Sequence, residues 1–244
     1  MVREAVILAG GLGTRLGRIV KDVPKPMVEV SGRPFLEYLL DYIIGQNLKL
    51  AILAVGFKHE VIKKHFGESY KGLELIYSIE EEPLGTGGAI KKALDLVEGD
   101  DFLILNGDTY CNVSLARLYE FHRLKESVLS VALKRLNDFS RYGTVELDGR
   151  GRIVGFKEKG YRREGNINCG IYLVRKSILR KAGLPSKFSF EKGFLEKYIR
   201  TFLFYGLTFD DCFFIDIGIL EDYALAQSEL KKRAERVIPG GVAH

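Results

Sequence analysis

The sequence predicts an α/β fold of three layers, α/β/α, around a mixed, mainly parallel central sheet. Three observations carry this reading. Short apolar runs alternate with helix-period segments from Glu4 to about Arg123, the pattern of parallel strands joined by crossover helices. Those runs are apolar at nearly every position rather than every second one, as in strands covered on both faces. Beyond residue 125 the strands follow one another more closely, and Asp148-Gly149-Arg150-Gly151 is a hairpin turn signal between two of them.

Ala5 to Ala9 forms the first buried strand and ends in a loop with Gly10, Gly11 and Gly13. Val28 to Val30 is a brief strand, and Ser31 to Pro34 a turn. Phe35, Leu36, Leu39, Leu40, Ile43 and Ile44 then recur at helical spacing and mark one buried face. Lys49–Val55 is the second strand, Glu60–Phe66 a short helix and Leu73–Ser78 the third strand. Leu84 opens a helix to about Leu96, Asp101–Asn106 is the fourth strand and Leu115–Arg123 a further helix. In the second half, Val128–Leu133, Gly143–Leu147, Ile153–Phe156, Asn168–Val174, Phe204–Phe209 and Cys212–Asp216 read as strands. Ser177–Leu184, Glu191–Arg200 and Glu221–Arg236 read as helices, the last with Tyr223, Leu225, Ala226 and Leu230 near its inner face.

No low-complexity linker divides the 244 residues, so residues 1–236 are expected to form one domain. Its halves are about 1–125 and 126–236, and residues 237–244 are expected to be a disordered tail. A net charge of +5 suits small anionic ligands and argues against nucleic acid as a partner. No apolar run reaches membrane-span length, and no signal peptide precedes the first strand, so the expected location is the cytoplasm, away from membranes. Cys111, Cys169 and Cys212 are far apart in sequence, odd in number and without Cys-x-x-Cys spacing, and are expected to be reduced and structural.

The chemistry concentrates at the ends of the predicted strands, where ligands of such sheets bind. Three glycines in four positions let backbone N–H groups approach a polyphosphate closely. Arg15 adds a planar donor fork, and Lys25, between Pro24 and Pro26, a second cation on stiffened backbone. Register excludes a dinucleotide fingerprint, whose third glycine would fall at Leu16, and no Walker loop is present. The glycines of Leu84-Gly85-Thr86-Gly87-Gly88 offer a backbone surface for a flat base. Asp108, in Asn106-Gly107-Asp108, and Asp216, in Phe214-Ile215-Asp216, each end an apolar strand. Two such carboxylates suit Mg²⁺, or Mn²⁺, which binds one or two carboxylates together with phosphates and water. Glu158-Lys159 on its own reads as a solvated charge pair.

Gly10-Gly11-Leu12-Gly13-Thr14-Arg15-Leu16, followed by Pro24-Lys25-Pro26, resembles the signature of the sugar-1-phosphate nucleotidyltransferases. The resemblance runs from Ala5 to about Gln227. It implies a Rossmann-like nucleotide-diphospho-sugar transferase fold and the reaction of an NTP with a sugar 1-phosphate to give NDP-sugar and pyrophosphate. It further implies nucleotide binding by Leu8, Gly10, Gly11, Gly13, Thr14, Arg15, Leu84, Gly85, Gly88 and Asp108. Asp108 and Asp216 would hold the metal, and Arg15 and Lys25 would be catalytic. The sugar phosphate would meet Gly143, Glu158, Lys159 and Asn168, although the proline common after the Glu-Lys pair is Gly160 here. Within the family, Asp22–Met27, Gly32–Tyr38 and Phe214–Ile219 look most like the heptose 1-phosphate guanylyltransferases, which implies GTP and D-glycero-α-D-manno-heptose 1-phosphate. Mannose 1-phosphate guanylyl transfer and N-acetylmuramate 1-phosphate uridylyl transfer are alternatives. A homo-oligomer is compatible with the sequence.

The charges set the mechanism to expect. A sugar phosphate oxygen is already anionic and needs no general base. Repulsion between anions and in-line alignment are the obstacles, so cations and positioning are the tools. A non-catalytic nucleotide-sugar-binding regulatory subunit would have lost such residues, whereas Arg15, Lys25, Asp108, Lys159 and Asp216 are all present.

Overall fold

The structure is a computed structural model that describes residues 2–11 and 23–236. Gly13, Thr14 and Arg15 of the glycine loop, and the expected tail at 237–244, lie outside the described residues. In chain order the elements begin with β1 (Glu4–Leu8), β2 (Glu29–Val30), β3 (Arg33–Pro34), α1 (Phe35–Gly45) and β4 (Leu50–Val55). Then follow α2 (His59–Phe66), β5 (Ser69–Tyr70), β6 (Leu73–Ile79), α3 (Gly85–Ala93), β7 (Asp101–Asn106), β8 (Thr109–Cys111) and α4 (Leu115–Leu124). The second half contains β9 (Leu129–Phe139), β10 (Thr144–Leu147), β11 (Ile153–Lys157), β12 (Arg162–Arg175) and α5 (Lys176–Lys181). A π-type turn (Glu191–Glu196), β13 (Phe204–Thr208), β14 (Phe214–Asp216) and α6 (Leu220–Arg236) complete it.

One ten-stranded sheet runs in the order β11-β10-β12-β7-β1-β4-β6-β5, with β9 paired to β12 and β13 paired to β9. Strands β7, β1, β4 and β6 are parallel neighbours, and β12 enters antiparallel to β7. The mixed, mainly parallel α/β sheet predicted from the sequence is therefore present. Alternation of side chains explains the unbroken apolar runs. Ala5 and Ile7, Leu53 and Val55, and Leu103 and Leu105 join a core under α1, α2, α4 and α6. Their neighbours Val6, Ile52, Ala54, Phe102 and Ile104 join a core on the opposite face with α3 and the π-type turn. No described helix is long and apolar enough to cross a membrane.

Some elements differ from the sequence reading. Strands β9 and β12 extend far beyond the expected Val128–Leu133 and Asn168–Val174, because their outer halves pair with each other through exposed polar residues such as Asn137 and Glu164. The helix expected over Glu191–Arg200 begins as a π-type turn, a departure that leaves its apolar positions Phe194 and Leu195 buried. Leu225, expected on the inner face of α6, is half exposed, whereas Ala226 and Leu230 are buried. The three-residue β8 was not expected. It pairs antiparallel with β14, and this small ribbon matters most for the site.

Candidate functional site

A cavity of about 740 Å³ opens along the carboxyl edge of the parallel strands. Each strand contributes the residues at or just past its end: Leu8, Gly10 and Gly11 after β1, Gly56 after β4, Glu80 after β6, and Asn106 to Asp108 after β7. Backbone bonds hold these ends level. Ala9 N donates to Ala54 O at 2.8 Å, Glu80 N to Val55 O at 2.7 Å and Gly107 N to Leu8 O at 3.1 Å. Gly10 serves close approach, since a Cβ there would stand 3.3 Å from Glu80 Oε1 and 3.4 Å from Gly56 N.

Lys25 reaches the cavity from a single turn over Lys25–Met27, and its backbone N–H donates to Gly11 O. Its amine lies 2.6 Å from Asp108 Oδ2, with the lysine side chain largely buried. The β8–β14 ribbon brings the second carboxylate alongside, for Asp216 pairs with Thr109, and Ile217 N donates to Asp108 O at 3.0 Å. Gly218 N donates to Asp216 Oδ1 at 2.7 Å. A Cβ on Gly218 would come to 2.8 Å of that oxygen and 3.3 Å of Lys25 Nζ, so glycine lets amine and carboxylate converge. Burial first, and then the charge of Asp108, raises the Asp216 pKa above the usual carboxylate range, against the opposing pull of Lys25. Lys25 and Asp108 thus line the cavity, and Asp216 lies beside them, outside its described lining residues.

The glycine helix start is positioned differently from its neighbours. Gly85 and Thr86 line the cavity. Leu84 and Gly88 pack instead toward the Ser186–Phe188 segment, where a Cβ on Gly88 would overlap the Ser186 carbonyl. Gly85 has φ of +72°, and a Cβ there would meet Phe188 O at 2.7 Å. The cluster therefore serves chain packing at Gly87 and Gly88 and cavity wall at Gly85.

Among the residues expected to meet the sugar phosphate, Glu158 and Lys159 are exposed just past β11, and Glu158 faces Lys192 at 3.5 Å. A Cβ on Gly143 would stand 2.7 Å from Lys157 O, which brings that loop against the same strand end. Asn168 is committed within the protein. Its Oδ1 accepts from Gly170 N at 2.9 Å, and its Nδ2 donates to Tyr172 Oη at 2.7 Å. That turn, with Gly170 at φ +71°, forms the irregularity where β12 shifts register against β9.

Two acidic features of the cavity escaped the sequence reading. Glu191, on the π-type turn, lines it together with Tyr172 and Phe190. Burial, then the charges of Glu196 and Asp108, push its pKa up, while Tyr172 and Lys159 pull it down. The charges of both Asp108 and Lys159 thus act on Glu191. Glu80, Glu81 and Glu82 form a second acidic wall, and Glu80 Oε2 accepts from Leu84 N at 2.9 Å. The signal for this wall was three glutamates directly before Pro83-Leu84-Gly85. Glu191 had none, because a lone glutamate on a helix is ordinarily solvated.

Comparison with known proteins agrees with this geometry. The family described as "Nucleotidyl transferase" matches residues 4–233. The chain is 48% identical over 228 residues to D-glycero-alpha-D-manno-heptose 1-phosphate guanylyltransferase of Aneurinibacillus thermoaerophilus, covering 93% of this chain and 98% of that one. It is 47% identical to the protein of the same name from Campylobacter jejuni subsp. jejuni, covering 90% of this chain and 96% of the relative. The crystal structure of HddC from Yersinia pseudotuberculosis complexed with GMP-PN superposes with a TM-score of 0.84 at 38% identity, covering 93% of this chain and 99% of the other.

Proposed function

The chain belongs to the nucleotidyl transferase family, and from that premise we propose that it transfers a guanylyl group from GTP to D-glycero-α-D-manno-heptose 1-phosphate, releasing pyrophosphate. The observation that carries the chemistry is the Lys25 amine, held 2.6 Å from Asp108 in a cavity that Gly10 and Gly11 also line. The substrates are those in the names of the two relatives that match this chain over nearly their full length. Both are anions, and the nucleotide argues for a cytoplasmic enzyme.

The donor set fits a hard divalent cation. Asp108 and Asp216 supply carboxylate oxygens close to one another, a hard donor set that suits Mg²⁺ alongside phosphates and water. Mg²⁺, or Mn²⁺, held there would neutralise part of the polyphosphate charge. The chain's own residues supply the rest. Gly10 and Gly11 leave the backbone open to phosphate oxygens. Lys25 would swing from Asp108 to the reacting phosphates and lower the repulsion between them. Arg15 is assigned to the departing pyrophosphate, Lys159 to the sugar phosphate and Glu158 to sugar hydroxyls. The Glu80–Glu82 wall supports guanine as the base. Guanine presents two adjacent N–H donors on one edge, which a carboxylate can accept in parallel, whereas uracil presents one.

The test is a pyrophosphate-release assay with Mg²⁺ that crosses GTP, ATP, CTP, UTP and dTTP with heptose, mannose, glucose and N-acetylmuramate 1-phosphates. Release chiefly from GTP with the heptose phosphate is the expected result. Release from UTP with an amino-sugar phosphate would overturn the substrate assignment. No release from any pair would overturn the catalytic one.

A further inference from the structure

Cys111 at the end of β8, Cys169 in the turn of β12 and Cys212 just before β14 are brought together by the fold. All three are buried and none is in a disulfide. Their sulfurs all lie within 4.8 Å of one another, and the Cys111–Cys212 separation is 3.5 Å. We propose that this thiol trio is a binding site for one soft divalent cation of the Zn²⁺ type, separate from the carboxylate site at Asp108 and Asp216.

The geometry is close to what such an ion needs. With Zn–S bonds of about 2.3 Å, three sulfurs around one ion stand about 3.8–4.0 Å apart. A triangle with one edge of 3.5 Å and none above 4.8 Å reaches that spacing by side-chain shifts of under about an ångström. Charge also fits. Three thiolates and a divalent ion carry a net charge of −1, and Lys134 stands beside them, its amine donating to Cys212 O and, at 3.4 Å, to Asp210 O. Thiolates select a Zn²⁺-type ion over Mg²⁺, whereas the oxygen donors of the cavity have the opposite preference. One chain can therefore hold two different ions without exchange between sites. The placement gives the soft ion a structural task. Cys111 follows Asp108 by three residues and Cys212 precedes Asp216 by four, so an ion on the sulfurs would clamp β8, which Asp108 precedes, to β14, which ends in Asp216.

Metal uptake tests this without reference to turnover. The reduced full-length chain, stripped of metal, is titrated with Cd²⁺ in excess Mg²⁺ while the sulfur-to-cadmium charge-transfer absorption is followed in the ultraviolet. Zn²⁺ is then added in competition, and a thermal melt is recorded with and without it. The expected result is one equivalent of Cd²⁺ per chain, displacement by Zn²⁺ and a higher Tm with metal. The band should survive in Asp216→Asn and be lost in Cys169→Ala and Cys212→Ser. Wild-type protein that shows no band, with three reactive thiols after unfolding, would overturn the site and leave apolar packing. One reactive thiol after unfolding would also overturn it, by revealing a disulfide. Both decisive readings use the wild-type chain, so a variant that fails to fold does not shield the proposal.

Discussion

Replacing Lys25 with Met keeps most of the side-chain volume and removes the charge at the centre of the proposed mechanism. Two effects of different size follow. The Lys25–Asp108 pair at 2.6 Å has a gross attraction of about 6 kcal/mol at an effective dielectric of about 20. Most of that is offset by desolvation of the amine, and the Asp108 side chain is 36% exposed, so the freed carboxylate regains water. The net loss of stability is therefore about 1–2 kcal/mol, a fall in Tm of roughly 2–8 °C for a chain of this size. The catalytic loss is larger. A preorganised charged donor aimed at developing negative charge contributes about 100–1000-fold to kcat, or about 2.7–4 kcal/mol. Steady-state pyrophosphate release, with circular dichroism melts on the same preparations, separates the two. Lys25→Met should lose at least about 100-fold in kcat/KM while remaining folded at assay temperature, and Lys25→Arg should recover part of it. If kcat/KM stays within about threefold of wild type (under about 1 kcal/mol), Lys25 does not touch the reacting phosphates. Full rescue of Lys25→Met by high Mg²⁺ would refute the reasoning differently, by reducing Lys25 to a counter-ion for Asp108.

Asp216→Asn should abolish turnover yet raise Tm at pH 8 in EDTA. The folded pKa of Asp216 is raised, first by burial, so its ionised form destabilises the fold above that pKa, and the penalty disappears as pH falls through it. The Tm difference between variant and wild type should shrink from pH 8 towards pH 4, and a difference that is flat or negative at pH 8 would refute this. Glu191→Gln should raise KM for the sugar 1-phosphate by about 10–100-fold, the loss of a charged hydrogen bond of about 1.5–3 kcal/mol, with KM for GTP within about threefold. The opposite split in steady-state kinetics would move Glu191 to the nucleotide side. Gly85→Ala should cost about 1–3 kcal/mol, measured by urea unfolding, because a side chain at φ +72° is strained and its Cβ meets Phe188 O. Unchanged stability would mean that the Phe188 segment yields.

The central strands were legible because their cause is local. Ile7 and Val6, or Leu105 and Ile104, face opposite cores, so an apolar run without alternation already states that both faces are covered. The same holds for α1, whose spacing marks its buried side. The positions of Gly10, Gly85 and Asp108 at one edge follow from strand direction alone. What could not be read depends on partners distant in sequence. A three-residue strand such as β8 has too few side chains to show a period, and its pairing with β14 spans about a hundred residues. The outer halves of β9 and β12 are exposed and polar, so their pairing leaves no hydrophobic signature. Cysteines at 111, 169 and 212 show no motif spacing because the fold, not the local sequence, gathers them.

The β8–β14 ribbon makes the second carboxylate depend on a pairing distant in sequence. Asp108 follows directly from β7 and is fixed by the parallel core, whereas Asp216 is held beside it through the pairing of β14 with β8. Docking of the ribbon adds a second, buried carboxylate whose ionised form is unfavourable in that position. The favourable terms of docking must exceed that penalty, and they are visible: Ile215 and Ile217 are buried, and Cys111 and Cys212 close the ribbon against Cys169. Shortening Ile215 to Ala should therefore loosen Asp216 before it loosens the central sheet. Hydrogen exchange should show protection falling at Tyr110 and Ile217 while Ile7 and Ile104 stay protected. Uniform loss of protection across all four would mean that the ribbon and the parallel core unfold as one unit.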